Sequence, residues 1–311
     1  MKHMNAQTEQ LLQTNYPPHV AQGIRDLERM LDENEALAAA HDDIVHRYVV
    51  TETLSMADAL TELKALAERF DQNEYSLDLL LILNSLPTLY QKYKQHGIPD
   101  EIFYESMDDI RCKVNECVEC KGVVGTFVAD WYDRFFKLTC FAYGRFQYEV
   151  MTYEGEDFTM SSGRVFKSGD KYINMHIPSR GIPLTDEVRL ASYRAAYPHF
   201  SSLFDDGIVI FGCSSWLLYP RHREFLPAGM NLLKFMGDFE MVNWKETPDD
   251  FHDRWRLYGK HASLPDDQLP RDTTMRRAYA DWLLAGNPTG RGFGIFAFDG
   301  EKILKSTGDT Q

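Results

Sequence analysis

Residues 171–189, KYINMHIPSRGIPLTDEVR, constrain the fold more than any other stretch, because they predict a strand, a short loop and the start of a helix. The strand alternates aliphatic with hydrogen-bonding side chains, Ile173, Met175 and Ile177 against Tyr172, Asn174 and His176. A period of two puts the two sets on opposite faces of a sheet. We therefore expect one face to belong to the core and the other to carry a site.

The end of this stretch has the residues of a helix N-terminus. Thr185 supplies a hydroxyl that can cap the helix, and Asp186 and Glu187 follow in the first turn, where negative side chains suit the helix dipole. The free amide groups of such a helix point back at the loop. Strand, loop and helix together predict a place where an anion can bind.

The overall composition excludes several classes of protein. At 311 residues the chain is long enough for two domains, and its formal charge of −14 disfavours nucleic-acid and anionic-membrane surfaces, which require clustered Lys and Arg. No apolar run approaches the roughly 20 residues of a membrane helix. The first ten residues lack the apolar core of a signal peptide, so we expect a cytoplasmic protein.

The hydrophobic period changes near residue 142. Before it, apolar residues recur at helical spacing, as in Met56, Leu60, Leu63, Ala67 and Phe70. After it, strands and helices mix: we expect a central strand within 207–218, more strand at 232–244, helices at 185–197, 248–257 and 272–285, and a closing hairpin at Asp299 and Gly300. The predicted fold class is α+β, with an all-helical domain at 1–141 and a mixed α/β domain at 142–311.

We predict no metal site. Cys112, Cys117, Cys120 and Cys140 follow the spacing of a plant-type iron–sulfur site, but the first two fall on a helical pattern where they point about 140° apart. We interpret the cysteines as packed residues or as residues without a role in a cluster. The glycine-rich run 290–294 leads into a terminal strand, so we expect close backbone packing there and not a dinucleotide site.

Six ordered segments carry a resemblance to a known family. They are GIPDEIFYESMDDIR, FAYGRFQYEV, MHIPSRGIPLT, SSWLLYPRHREFLP, NLLKFMGDFE and LPRDTTMRRAYADWLLAGNPTGRGFGIF. The chain resembles bacterial acyltransferase domain-containing proteins over nearly its whole length. These proteins pair a helical N-acyltransferase N-terminal domain with a C-terminal domain similar to the Gcn5-related N-acetyltransferases. The resemblance implies a mixed, mostly antiparallel central sheet in the second domain.

The resemblance also implies a reaction, the transfer of an acyl group from acyl-CoA or acetyl-CoA to the amine of a small-molecule acceptor. In that superfamily the pantetheine arm inserts between two central strands that splay apart, and the pyrophosphate meets a loop at a helix N-terminus. The strand and loop at 172–184 and the strand at 207–218 match these parts. The residues implied for the cosubstrate are Ile177, Ser179, Arg180, Gly181, Ile182 and Thr185. The oligomeric state stays open.

Two residues are candidates for catalysis. His176 can accept a proton from the attacking amine, since the ordinary histidine pKa of about 6.5 suits a general base; alternatively it fixes the strand end by a structural hydrogen bond. Ser215 can donate a hydrogen bond to the thioester carbonyl. For substrate contacts the candidates are Tyr172 and Asn174, and Trp216 either forms a wall of the acyl pocket or packs in the core.

The loop departs from the superfamily pattern, which is Gln or Arg, two residues, Gly, one residue, and Gly or Ala. Pro178 and Pro183 remove two amide donors from it. The alternative function is therefore a non-catalytic protein that binds a ligand or partner on the same fold.

Overall fold

Two units divide the chain, Met1–Phe141 and Ala142–Gln311. A computed structural model describes residues 4–14, 16–247 and 251–305. The first three residues of the helix predicted at 248–257 lie outside the described part. Each unit is described by itself.

The first unit is built from helices as far as Phe136, as predicted. They are α1 (Ala6–Leu12), α2 (Pro18–Glu33), α3 (Glu35–Val45), α4 (Met56–Phe70), α5 (Glu74–Gln95), α6 (Asp100–Met107), α7 (Asp109–Lys121) and α8 (Asp133–Phe136), with a π-helical turn at His46–Val50 and a 3-10 turn at Ala129–Tyr132. Helix α5 is the centre of this unit, because it contacts α1, α2, α3, α4 and α6. The consecutive leucines and isoleucine from 79 to 83 are all buried on it.

Pro87 lies inside α5 without ending the helix. A proline has no N–H, so the carbonyl four residues earlier, that of Leu83, loses its helical partner. Asn5 Nδ2 replaces it, donating to this carbonyl at 3.0 Å, while Asn5 Oδ1 accepts from Thr8 N at 2.9 Å and caps α1. One side chain thus begins α1 and satisfies the carbonyl that the proline leaves open.

The two cysteines predicted to be packed are packed. Cys112 and Cys117 are buried on α7, and burial raises the pKa of the Cys117 thiol to about 12. The Cys117 thiol is therefore neutral at physiological pH.

The second unit contains a mixed sheet with helices, which confirms the predicted fold class. Its strands are β1 (Cys140–Tyr143), β2 (Phe146–Thr152), β3 (Phe158–Thr159), β4 (Val165–Phe166), β5 (Lys171–His176), β6 (Val209–Ser215), β7 (Glu240–Thr247), β8 (Thr289–Phe298) and β9 (Ile303–Leu304). Its helices are α9 (Asp186–Phe200), α10 (His222–Phe225), α11 (Asn231–Met236), α12 (Arg254–Tyr258) and α13 (Thr274–Leu284), with 3-10 turns at Ser201–Leu203, Trp216–Leu218, Gly259–His261 and Asp266–Gln268.

The main sheet has the order β1-β2-β5-β6-β8-β7, with β9 paired to β8. Strands β5 and β6 are parallel, whereas β2 with β5, β6 with β8, β7 with β8 and β8 with β9 are antiparallel. The parallel pair is therefore enclosed by antiparallel neighbours.

Aromatic rings fix the middle of the sheet on the side of α9. Tyr193 of α9 lies over Phe211 and Phe296, with ring centroids 5.9 and 4.9 Å away, and its hydroxyl donates to Asp238 at 2.9 Å. All three rings are buried. These contacts hold β6 and β8 rigidly under the helix.

A second buried cluster covers the opposite face of the sheet. It contains Tyr153, Met160, Phe166, Tyr172, Ile210, Ile295 and Ala297. The small β3–β4 hairpin contributes Phe166, which stacks on Tyr153 with centroids 4.3 Å apart. Buried side chains thus cover both faces of the sheet around β5, β6 and β8.

The segment predicted as strand at 232–244 is partly helical. Leu232, Phe235 and Met236 are buried at a spacing of three and one, which is the inner face of α11, and β7 begins only at Glu240. A short apolar run suits a buried helix and a strand equally, so periodicity could not separate them.

The close packing predicted for the glycine-rich run is confirmed. A Cβ on Gly290 would lie 2.5 Å from the carbonyl oxygen of Lys245, and one on Gly292 would lie 2.5 Å from that of Leu218. Larger residues would therefore separate β8 from its neighbours. Among the described residues, every helix is too short or too polar to cross a membrane.

The double role of Asn5 predicts an unequal effect of two isosteric changes. Asn5→Asp keeps a good helix cap but replaces the amide donor by a carboxylate, which only accepts, and leaves the buried Leu83 carbonyl unpaired. We expect a loss of about 1–3 kcal/mol of stability, measured by urea unfolding followed by far-ultraviolet circular dichroism.

Asn34→Asp is the matched control, because the Asn34 side chain caps α3 by accepting from Leu37 N and makes no second hydrogen bond among the described residues. It should shift the unfolding midpoint little. Equal midpoints for the two variants would contradict the account of Pro87.

Candidate active site

Strand β5 pairs with its two neighbours over different lengths. Its antiparallel register with β2 runs through all six residues of β5. Its parallel register with β6 consists only of Ile173 with Phe211 and Asn174 with Gly212. Beyond these pairs, the last two residues of β5 and the last three residues of β6 do not pair with each other. Pairing between the two strands therefore stops before their carboxyl ends, and we call this unpaired stretch the gap.

Four polar side chains lie beside this gap, and we call them the Glu149 cluster: Gln147, Glu149, Asn174 and His176. Gln147 faces His176 and Glu149 faces Asn174 in the β2–β5 register, so all four share one face of the sheet. Gln147 and Asn174 are 1% and 7% exposed, whereas the side chains of Glu149 and His176 are 16% and 21% exposed. Solvent and ligands reach the cluster through the latter two.

Two side chains of the cluster lie beside the His176 ring. Its Nε2 lies 2.9 Å from Glu149 Oε2 and 3.2 Å from Asn174 Nδ2. A carboxylate only accepts, so Nε2 donates to Glu149, and the Asn174 amide nitrogen, which is itself a donor, is a neighbour of Nε2 and not its hydrogen-bond partner. The structural hydrogen bond that the sequence left as an alternative for His176 is thus present, and it links the histidine to a carboxylate.

Two buried amide atoms of the cluster have no hydrogen-bond partner among the described residues, Gln147 Nε2 and Asn174 Oδ1. Leaving such atoms unpaired costs about 1–3 kcal/mol each. They offer one donor and one acceptor next to a carboxylate and an imidazole. The cluster is therefore suited to bind an N–H donor and to take up a proton from it.

Ser215 and Trp216 lie at the end of β6. Ser215 Oγ accepts from Leu217 N at 3.1 Å and begins the turn Trp216–Leu218. Because side chains alternate, Ser215 points to the face opposite Gly212 and Asn174. The structure therefore does not bring Ser215 together with His176 on one face. Trp216 is half-buried and meets His222, Phe251 and Tyr279 edge-on.

Cys213, between these residues and Gly212, is fully buried. Burial raises the pKa of its thiol to about 12, so it is protonated at neutral pH. A covalent route through Cys213 is therefore disfavoured. In the described part of the chain, no three His, Cys, Asp or Glu side chains are grouped so that they could hold a metal ion.

The loop after β5 is fixed by arginines. Arg145, in the turn between β1 and β2, donates to the carbonyls of Pro178 at 2.8 Å and Ile182 at 2.9 Å. Arg189 of α9 donates to the carbonyl of Leu184 at 2.7 Å. Three loop carbonyls are thus bound to guanidinium groups.

The other residues predicted in this loop lie on or near its surface. Ser179, Gly181 and Ile182 are exposed, while Ile177 and Arg180 are half-buried. Gly181 has a φ of +75°, which a glycine adopts without strain. All of these residues lie in the loop that follows β5.

Thr185 caps α9, as predicted, by accepting from Val188 N at 3.4 Å. Helix α9 extends to Phe200, beyond the predicted end at residue 197. Its first-turn residue Asp186 pairs with Arg189 at 3.1 Å. The amide groups of the first turn are therefore directed at the loop, as the sequence indicated.

Tyr172 is packed and not exposed at the gap. Its ring meets Phe166 and Phe293 edge-on, with centroids 6.0 and 5.6 Å away, and a Cβ on Gly212 would lie 2.7 Å from it. Burial raises the pKa of its hydroxyl. The substrate contact suggested for Tyr172 stays a prediction, whereas its packing role is evident.

Glu149 and Gln147 were not singled out from the sequence. Their alternation with Phe146, Tyr148 and Val150 is typical of a strand, but the partner strand and the register were needed to place them against His176. The sequence signal that was available for this site is a glutamate at one of the polar positions of β2.

Comparisons with known proteins agree with this architecture. The family described as N-acyltransferase N-terminal domain matches residues 6–138, and the family described as GNAT-like C-terminal domain matches residues 140–296. Among proteins with curated descriptions, none matches the sequence.

Several solved structures have the same fold. One is a mutant acyltransferase in complex with octanoyl-CoA, with a TM-score of 0.70 and 18% identity over 95% of this chain and 88% of that chain. Another is an acyltransferase in complex with decanoyl-CoA and teicoplanin, with a TM-score of 0.69 and 18% identity over 96% and 89%. A third is in complex with CoA and 10C-Teicoplanin, with a TM-score of 0.68 and 19% identity over 94% and 87%.

The two matched regions follow each other along the chain in the order that the sequence resemblance indicated. The chain belongs to the family that joins an N-acyltransferase N-terminal domain to a GNAT-like C-terminal domain.

Proposed function

We propose that this protein transfers an acyl group from an acyl-CoA to an amine. The observation that carries the proposal is that pairing between β5 and β6 ends at Asn174 and Gly212, next to the Glu149 cluster. The similar structures in complex with octanoyl-CoA and decanoyl-CoA support an acyl-CoA donor.

The gap suits the pantetheine arm of the donor. Where the pairing stops, main-chain N–H and C=O groups of β5 and β6 lose their partners across the sheet and become available to the amide groups of an extended ligand. The loop at 177–185 lies directly at the end of β5, in front of α9. Its residues Ile177, Ser179, Arg180, Gly181, Ile182 and Thr185 are proposed to contact the pyrophosphate.

The Glu149 cluster is proposed to receive the acceptor amine. Asn174 Oδ1 accepts a hydrogen bond from the amine, and His176 takes its proton as general base. Glu149 orients the imidazole and stabilises the imidazolium. The amine nitrogen forms a bond to the thioester carbonyl carbon, the carbon–sulfur bond breaks, and CoA leaves as a thiolate that is then protonated.

Ser215 and Trp216 are assigned to the acyl end of the donor. A gap between strands is accessible from both faces of a sheet, and Ser215 lies at its β6 side on the face opposite the Glu149 cluster, with Trp216 in the turn that follows. The Ser215 hydroxyl retains a proton to donate to the thioester carbonyl, since its oxygen accepts from Leu217 N. Trp216 is proposed as an aromatic wall for the acyl chain.

One observation favours a second candidate, a non-catalytic protein that binds a ligand or partner on this fold. Pro178 and Pro183 leave the loop with two fewer amide donors than the superfamily pattern provides. Binding of acyl-CoA by the loop and the gap separates the two functions.

Thermal unfolding with ligands tests the donor. A ligand that binds only the native protein stabilises it by about 2.7 kcal/mol at 100 times its Kd, so CoA, octanoyl-CoA and decanoyl-CoA should each raise the Tm. ATP, which has the adenine and phosphates but no pantetheine, is the matched control and should raise it less. Equal effects of ATP and CoA, or none from either, would favour the second candidate.

Acyl transfer by a Glu149→Gln variant tests the acceptor side. Glutamine keeps the size of the side chain but cannot stabilise an imidazolium, so we expect kcat to fall by about 10²–10⁴-fold, while KM for acyl-CoA changes little.

Glu154→Gln is the control for this variant, because Glu154 is exposed and lies outside the Glu149 cluster. It should retain wild-type kcat. A Glu149→Gln enzyme as active as the Glu154→Gln enzyme would remove Glu149 from the mechanism.

A further inference from the structure

Arg145 is a buried arginine that donates hydrogen bonds to the main chain of the loop at 177–185. It is 8% exposed, follows Gly144 in the β1–β2 turn, and lies with its guanidinium 5.7 Å from the ring centroid of Phe146. Its Nη1 and Nε reach two carbonyls of the loop that are four residues apart, those of Pro178 and Ile182. One planar group thus bridges the two halves of the loop.

The loop in turn binds the main chain of the β1–β2 turn. Arg180, from the middle of the loop, donates from Nη1 to the carbonyl of Gly144, the residue before Arg145. The turn and the loop are therefore joined by two arginines running in opposite directions. Such a closed arrangement leaves the loop few alternative conformations.

The direction of the carbonyls matters for an anion. In a trans peptide the C=O and N–H groups point in opposite directions, so a carbonyl drawn toward Arg145 turns the following N–H away from it. For Pro178 this N–H belongs to Ser179. Arg189 has the same effect on the Leu184 carbonyl and the Thr185 N–H, and Arg189 is itself fixed by Asp238 at 2.7 and 3.1 Å.

Carbonyl oxygens repel phosphate. A loop whose carbonyls are turned toward arginines, away from the ligand, repels phosphate less, which compensates for the N–H donors that the prolines remove. At Ile182 the following residue is Pro183, which has no N–H, so binding its carbonyl removes a repulsive oxygen without presenting a donor. The positive charge of Arg145 beneath the loop adds a favourable field that burial screens little.

We propose that Arg145 is a positioning residue for the pyrophosphate of acyl-CoA, acting through the loop carbonyls of Pro178 and Ile182. The inference rests on the proposed function. From the neighbouring turn, Arg145 fixes the main-chain orientation that glycines permit in the superfamily loop.

Kinetics of Arg145→Lys test the proposal. Lysine keeps the charge but cannot bridge two carbonyls with a rigid fork. We expect KM for acyl-CoA to rise by about tenfold or more, with kcat within about twofold of wild type. KM for the matching S-acyl-pantetheine, which has no pyrophosphate, should stay within about twofold, whereas a general structural defect would affect both donors.

Arg194→Lys is the control, since Arg194 is an exposed arginine of α9 that donates to the carbonyl of Glu301 at 3.0 Å. It should leave both KM values unchanged. If Arg145→Lys raises both KM values equally, or neither, the positioning role is wrong while the acyltransferase function stands. Wild-type protein that uses neither donor would overturn both.

Hydrogen exchange on the wild type gives a second test that requires no variant to fold. Amides that face the pyrophosphate gain a hydrogen-bond acceptor when the ligand binds, so exchange at Ser179 and Thr185 should slow when CoA is added and change little with S-acyl-pantetheine. Exchange at both amides that CoA leaves unchanged would overturn the proposal.

Discussion

The short parallel register between β5 and β6 is the feature on which the rest of the second unit depends. Two facing pairs join the strands, and no pairing joins their carboxyl ends. Strands can stay side by side with so few facing pairs only where their remaining contacts are strong. Here Phe211 and Phe296 pack under Tyr193 on one face, and Tyr172 and Phe293 pack on the other. The gap thus lies in a well-packed sheet.

Some residues around the gap are proposed to bind the cosubstrate, and others are proposed to take part in the acyl transfer. Glu149 of β2 accepts a hydrogen bond from His176 of β5, and the unpaired amide atoms of Gln147 and Asn174 remain buried nearby. At the end of β5, Arg145 and Arg189 fix the loop by its carbonyls. An acidic protein can in this way accept an anionic cosubstrate without a basic surface, because local donors and a helix N-terminus supply the positive potential.

Local sequence signals predicted the parts of the fold that local interactions determine. The alternation in β5, the Thr185 cap and the helices of the first unit follow from short-range spacing, and the structure contains them. Features set by distant residues were not predictable. Asn5 pairs with Leu83 across 78 positions, Glu149 meets His176 only through the β2–β5 register, and Tyr172 is buried by a separate hairpin. The apolar run in α11 was ambiguous because a short buried helix and a strand share its composition.

The structure of the protein bound to a non-hydrolysable acyl-CoA analogue is the most direct test of the central claim. The account predicts the pantetheine arm between β5 and β6 beyond Asn174 and Gly212, the pyrophosphate against residues 177–185, and the acyl carbonyl within reach of the Glu149 cluster. An analogue bound elsewhere, with the ends of β5 and β6 closed by regular pairing, would contradict it.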